Sequence, residues 1–234
     1  MPITSPHNEA LKEIRKLAGR RWRDKLGEFV AEGEDLVDAA AAAGWAPSAL
    51  YVAEGSGRAG IEVAPHVLAT VSQLGSSTRA LGVYPQRWSA PAGPACVALW
   101  GVNDPGNVGT VIRAALAFGA DSVALGPGTA DPYGHKAVRA SMGALFSVPL
   151  ARVRNVAELP GRRVALVARE GVPLHALDPA EYTVVVGAER DGLPGAVVAA
   201  CDDVAHIPIA RADSLNAAMA ATVALYQLTR ISRP

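Results

Sequence analysis

Cysteine is nearly absent: Cys96 and Cys201 are the only two in 234 residues. They stand too far apart to form a thiolate metal pattern and read as small buried hydrophobes. The five histidines show no ligand spacing, so no structural zinc and no metal chemistry are expected. No apolar run approaches the roughly 18 residues that would cross a membrane. The opening stretch MPITSPHNEALKEIRK has no apolar signal core, so the expected location is the cytoplasm, with no membrane partner. Net charge is missing as well, since 22 basic residues balance 22 acidic ones. That speaks against a broadly basic nucleic-acid binder. Several familiar sites are also lacking. There is no G-x-x-x-x-G-K-[ST] phosphate loop and no G-x-S-x-G elbow.

What is present is an ordinary globular balance, with 50% hydrophobic and 19% charged residues. Its length suits one large domain or two small ones. Residues 84–95, YPQRWSAPAGPA, carry three prolines and a glycine between strand-like runs and read as a linker. The expected division is 1–90 and 91–234. The first part opens with a helix near 8–26, where Leu11, Ile14, Ala18, Trp22 and Leu26 form one apolar stripe and Trp22 is a core anchor. EFVAEG reads as a strand, 34–43 as a helix, SALYVAE as a strand, PHVLATVSQLG as a helix and ALGVYP as a strand. The second part alternates too. ACVALW, DSVALG, RVALVA, YTVVVG and VAHIPI have the nearly continuous apolar character of buried parallel strands. Helices are expected over 108–118 and 214–231. The class is α/β.

Charge is distributed unevenly. Residues 11–25, LKEIRKLAGRRWRDK, hold seven Lys or Arg against Glu13 and Asp24. Taken alone, the run reads as a solvated helix face, although a local basic face also binds phosphate in a neutral chain.

In an open parallel sheet, ligands bind beyond the carboxyl ends of the strands. There the sequence places GVNDPGNVG, AERDGLPG and ARADSLN. These loops are rich in glycine, asparagine, serine and acids, which suits a nucleoside-like ligand approached by backbone amides. Ser214 is a good N-cap for the last helix. Arg113 is the conspicuous residue, a lone charge on the apolar helix TVIRAALAF. It requires either an ion pair, with Glu189 or an aspartate, or an external anion.

Three segments, NDPGNVGTVIRAALAFGAD, VVVGAERDGLP and IPIARADSLNAAMAATVALYQ, resemble in order and spacing the SpoU family of RNA ribose 2′-O-methyltransferases. This is the TrmH-like branch of the SPOUT superfamily. HKAVRASMGALFSVP is similar to the family's pattern between the first two. The resemblance covers about 95–231. It implies a parallel-sheet domain with a deep trefoil knot that holds S-adenosylmethionine bent, largely by backbone groups. It also implies a homodimer through the C-terminal domain, with the active site near the interface. By motif position, Gly187, Ile207 and Leu215 would line the cofactor pocket. Asn107, Arg113, Glu189, Ser214 and Asn216 would be catalytic. Arginine stays protonated in proteins, so Arg113 is expected to act as fixed charge, holding phosphate or the developing oxyanion, more readily than as a base.

The shorter FVAEG match, after a basic helix, resembles the small substrate-binding domain often fused to these enzymes. That domain is similar to ribosomal proteins of an α/β RNA-binding fold. It favours ribosomal over transfer RNA and makes Arg20, Arg21 and Arg23 of the basic helix candidate RNA contacts; Arg139, in the second part, is a further candidate. The chain departs from the family at Arg190, where glycine is usual, and at SLNAA, where S-L-N-V-S is common. The second reading is a non-catalytic RNA-binding protein that keeps the fold.

Overall fold

A computed structural model describes residues 1–74, 78–177, 182–211 and 213–232. Two helices, α1 (Glu9–Leu17) and α2 (Arg20–Leu26), precede β1 (Glu28–Glu32), α3 (Glu34–Ala42), β2 (Ala49–Ala53), β3 (Ile61–Val63), α4 (Pro65–Leu68) and β4 (Ala80–Pro85). These strands form a sheet of order β1-β4-β2-β3, antiparallel except for the β2–β3 pair. The single helix expected over 8–26 is broken at Gly19, whose extended backbone starts α2. The buried stripe is accordingly Leu11, Ile14 and Leu17. Ala18 and Leu26 are exposed, and Trp22 is half-buried beneath the Lys16 and Lys25 ammonium groups rather than anchored in the core. The helix expected over 65–75 is a single turn, and its last expected residue, Gly75, lies outside the described residues.

The remaining strands are β5 (Ala95–Leu99), β6 (Ser122–Leu125), β7 (Leu150–Arg152), β8 (Arg162–Val167), β9 (Val172–Pro173), β10 (Tyr182–Val186) and β11 (Asp203–His206). They form one wholly parallel sheet of order β7-β6-β5-β10-β8-β11-β9. The central β5 and β10 are buried at every position, as expected of strands covered on both faces. The helices are α5 (Pro105–Phe118), α6 (His135–Ala140), α7 (Gly195–Ala199) and α8 (Ala217–Ser232). Local chemistry sets the ends of α5. The Asp104 carboxylate accepts from the Gly106 and Asn107 amides, Pro105 fills the first turn, and Gly119 closes the helix in the left-handed region. At Gly109, a Cβ would overlap the Ala137 carbonyl, so only glycine lets α5 and α6 approach this closely. Among the described residues, no helix is long and apolar enough to cross a membrane.

The sparse aromatics gather where the two sheets meet. Phe29, Trp45 and Tyr84 from the first part pack against Tyr133 and Phe146 from the second, with Phe29 and Tyr133 ring centroids 4.7 Å apart. One core cluster therefore runs through both parts. The proline-rich 84–95 segment lies along the sheet edge, where Ser89 donates its amide to the Leu150 carbonyl at 2.8 Å.

Candidate active site

The carboxyl ends of β8, β10 and β11 open onto a cavity of about 490 Å³. Its walls come from Leu166–Glu170, from Val186–Leu193 and from the segment between β11 and α8. Gly187, Ile207 and Leu215, the expected cofactor residues, all line it, as do Glu189 and Ser214. The loop after β8, with Arg169 and Glu170, was not among the expected loops, because nothing in VARE distinguishes it from an ordinary strand end. The Arg169 guanidinium pairs with Asp213 at 2.7 Å, joining two rims of the cavity.

Gly187 has a specific reason to be glycine. The following loop folds back, with Ala188 and Gly192 exchanging backbone hydrogen bonds of 3.2 and 3.0 Å. A Cβ on Gly187 would overlap the Gly192 backbone.

Asn107, Glu189 and Asn216 come together from three loops far apart in sequence. The Asn107 side-chain amide donates to the Glu189 carboxylate, and the Asn216 amide donates to the Asn107 carbonyl oxygen at 3.3 Å. Asn216 also caps α8, its carbonyl oxygen accepting from the Ala218 and Met219 amides at 2.9 and 3.3 Å. This corrects the expectation that Ser214 is the cap. The helix begins three residues later, at Ala217, and Ser214 is an exposed wall of the cavity.

Arg113 is exposed on α5, and among the described residues it forms no ion pair with Glu189 or with an aspartate. Gly106, Thr110 and Arg113 follow one another at helical spacing along one face of α5, which leads from the Asn107 turn into solvent. Arg20, Arg21 and Arg139 are exposed too; Arg20 lies 3.6 Å from Asp24.

Arg23 is a different case, and its place among the phosphate contacts is corrected. It is only 6% exposed. Its Nε donates to Asp131 at 2.8 Å, and its Nη1 donates to the Leu17 and Ala18 carbonyls, each at 2.8 Å. The break at Gly19 rotates α2 so that Arg23 points inward while Arg20 and Arg21 stay outside, a difference invisible in the run GRRWRD.

Burial raises both thiol pKa values, that of Cys201 to about 11. Both therefore stay protonated, and neither is a ready nucleophile. Among the described residues, no group of three or more His, Cys, Asp or Glu is placed to hold a metal ion.

Comparison with known proteins places these features in a family. Residues 94–226 match the model of the SpoU rRNA Methylase family, and residues 8–82 match that of the MRM3-like substrate binding domain. The 23S rRNA (guanosine(2553)-2′-O)-methyltransferase RlmP of Bacillus subtilis is 30% identical, over 97% of this chain and 98% of that protein. The AdoMet-bound rRNA methyltransferase of Sinorhizobium meliloti superposes with a TM-score of 0.88 at 33% identity, over 100% of this chain and 99% of the other. The SpoU methyltransferase AviRb of Streptomyces viridochromogenes, in complex with AdoMet, superposes at 0.86 with 28% identity, over 96% and 98%.

Proposed function

The chain belongs to the SpoU rRNA methylase family, and from that premise we propose that it methylates a ribose 2′ oxygen of ribosomal RNA with S-adenosylmethionine as methyl donor. The observation that carries this reading is the Glu189–Asn107–Asn216 chain of hydrogen bonds beside a cavity whose wall at Gly187 has no room for a Cβ.

The residues present fit the methyl donor. A volume of about 490 Å³ falls within the roughly 300–1,000 Å³ usual for small-molecule sites. Leu166, Ile207, Leu215 and Ala217 offer apolar surface to an adenine, and the turn at 187–192 brings backbone groups close. Glu170, Glu189 and Asp191 give the rim carboxylates that suit a cationic ligand. When bound, S-adenosylmethionine would supply an electrophilic methyl group: the ribose 2′ oxygen would take it as the methyl–sulfur bond breaks, leaving neutral S-adenosylhomocysteine, with the hydroxyl proton passing to water. No metal is needed for that displacement. In this reading the three segments that line the cavity form the family's deep trefoil knot.

The chain's own residues supply alignment and charge. Arg113, solvent-facing on α5 and without an ion pair among the described residues, holds a phosphate flanking the target ribose and stabilises negative charge as it develops on the 2′ oxygen. Asn107, oriented by Glu189 and Asn216, positions the ribose. Ser214 and Leu215 set the third wall. Holding two reactants in line contributes about 7–11 kcal/mol of a barrier, enough to make positioning the main task. In this reading the enzyme works in the cytoplasm.

The first part of the chain captures RNA through Arg20 and Arg21, aided by Arg139. Replacing Arg20 and Arg21 with alanine should reduce the salt slope of RNA binding by up to about two, one for each lost phosphate contact. An unchanged slope returns them to a merely solvated face.

The active form is a homodimer through α5 and α8. Leu116, Met219, Val223 and Tyr226 are 48%, 58%, 41% and 48% exposed and mark an apolar face one helical turn beyond Arg113. Sedimentation at micromolar concentration should give a dimer that Leu116→Asp and Val223→Asp dissociate; a monomeric parent contradicts the assignment. Methyl transfer to ribosomal RNA tests the whole proposal. Binding of S-adenosylmethionine without transfer to any RNA would instead favour a non-catalytic RNA-binding protein.

A further inference from the structure

A buried ion pair is a weak device for stability, because desolvation offsets the Coulomb attraction. What it supplies well is fixed geometry. Arg23 and Asp131, whose side chains are 8% and 6% exposed, form such a pair between the helical start of the chain and the loop that follows β6. Arg23 is held on its own side by the Leu17 and Ala18 carbonyls. Asp131 is held on the other by the Tyr133 amide, which donates to its second oxygen at 3.0 Å.

The loop that carries Asp131 is bonded at several points to the segment leading into the active site. The Thr129 hydroxyl donates to the Leu99 carbonyl at 2.8 Å. The Gly101 amide donates to the Pro127 carbonyl at 3.1 Å, and the Ala130 amide donates to the Val102 carbonyl at 2.9 Å. Two residues after Val102, Asp104 caps α5 and receives the Asn107 amide at 3.1 Å. A continuous series of hydrogen bonds and short backbone segments thus runs from Arg23 to Asn107.

We propose that Arg23 is a positioning residue for methyl transfer: through Asp131 and the 126–131 loop, it sets the place of the Asn107 turn relative to the RNA-binding part of the chain. This rests on the methyl-transfer reading above. RNA held by Arg20 and Arg21 is registered against the reacting residues by Arg23, two or three positions away. The same basic run therefore divides its labour, with outward arginines for capture and the inward one for alignment.

The test compares the parent with Arg23→Lys, Asp131→Asn and the double variant. Four quantities are measured on the full chain: the single-turnover rate at saturating RNA and S-adenosylmethionine, RNA affinity across salt, S-adenosylmethionine affinity, and amide hydrogen exchange at Gly101 and Ala130. Each single variant should slow the saturated rate at least tenfold. The double variant should be no slower than the worse single one, as coupled residues require. Both affinities should stay within twofold with an unchanged salt slope, and exchange at Gly101 and Ala130 should quicken. Should a variant fail to fold, Thr129→Val removes the far end of the brace at nearly constant shape and should give the same pattern. An unchanged saturated rate with weaker RNA binding and a shallower salt slope overturns the proposal and makes Arg23 a phosphate contact. Unchanged exchange at Gly101 and Ala130 overturns it too. A parent that binds S-adenosylmethionine yet methylates no RNA refutes the methyl-transfer reading instead, and the exchange data then decide the brace alone.

Discussion

The side-chain amide of Asn107 donates to the Glu189 carboxylate, tying the start of α5 to the loop after β10. Asn107 has one amide and one carbonyl oxygen to orient, and Glu189 and Asn216 engage one each. The three side chains should therefore act as a unit. Asn107→Ala and Glu189→Ala are each expected to slow single-turnover transfer by about 10²-fold, the scale of losing one preorganised group. The double variant should be no slower than the worse single one. Losses that multiply would mean independent roles.

Arg113 is expected to act through its charge. Arg113→Ala should lose about 10²–10³ in rate. Arg113→Lys should keep measurable turnover, reduced because lysine lacks the planar fork. Both should bind S-adenosylmethionine as the parent does, since Arg113 is not part of the cavity wall. The check is a single-turnover rate across pH at saturating RNA. A lysine variant whose rate climbs tenfold per pH unit with constant binding would make residue 113 a base.

Gly187 and Gly192 should separate steric need from backbone need. Gly187→Ala places a methyl group into the Gly192 backbone and should abolish S-adenosylmethionine binding. Gly192→Ala meets open space but sits at φ +65°, a strain of roughly 1–2 kcal/mol, and should weaken binding about tenfold or less. Calorimetry with and without a chelator reads both. Binding that the chelator abolishes contradicts the metal-free site.

Glu32 ties the two parts of the chain together and should make stability sensitive to acid. Burial alone would raise its pKa. Hydrogen bonds from His135, Ser72, Thr78 and the Gln73 amide outweigh that and hold it at about 2. A depressed carboxylate pKa means the stabilisation is complete above about pH 4.5 and is lost as pH falls toward 2. The contribution is on the order of 3 kcal/mol. Glu32→Gln should lower the denaturation midpoint at pH 7 and flatten the fall between pH 5 and 2, as followed by urea titration. A variant with the parent's acid limb would show that Glu32 does not set it.

Much of this fold was legible because the chemistry that sets it is local. ACVAL is apolar at every position and YTVVV at all but Thr183, so their burial on both faces could be read directly. Asp104, Pro105 and Gly119 mark the ends of α5 by capping rules. The edge strands β3, β7 and β9 were not legible: two or three residues carry no period, and they exist because a neighbour offers a ladder. The helix break at Gly19 was missed because a 3.6-residue stripe continues formally through Trp22 and Leu26. That break turns Arg23 from the surface to the junction. The motif residues of the site were identifiable from their resemblance to a family, whereas the Asn107–Glu189–Asn216 contacts needed three-dimensional proximity across more than 100 positions. Asn216 as helix cap was hidden behind Ser214, an equally good capping residue two positions earlier.

Methyl transfer to a ribose 2′ oxygen of ribosomal RNA is the activity on which every role above depends. The direct measurement is mass spectrometry of nucleosides from unmodified ribosomal RNA incubated with the full chain and isotopically labelled S-adenosylmethionine, with transfer RNA in parallel. Labelled methyl is expected on the ribose of one nucleotide in ribosomal RNA, none on any base, and that label should be lost with Arg113→Ala. Label on a base, label confined to transfer RNA, or intact cofactor binding with no label on any RNA would contradict this expectation.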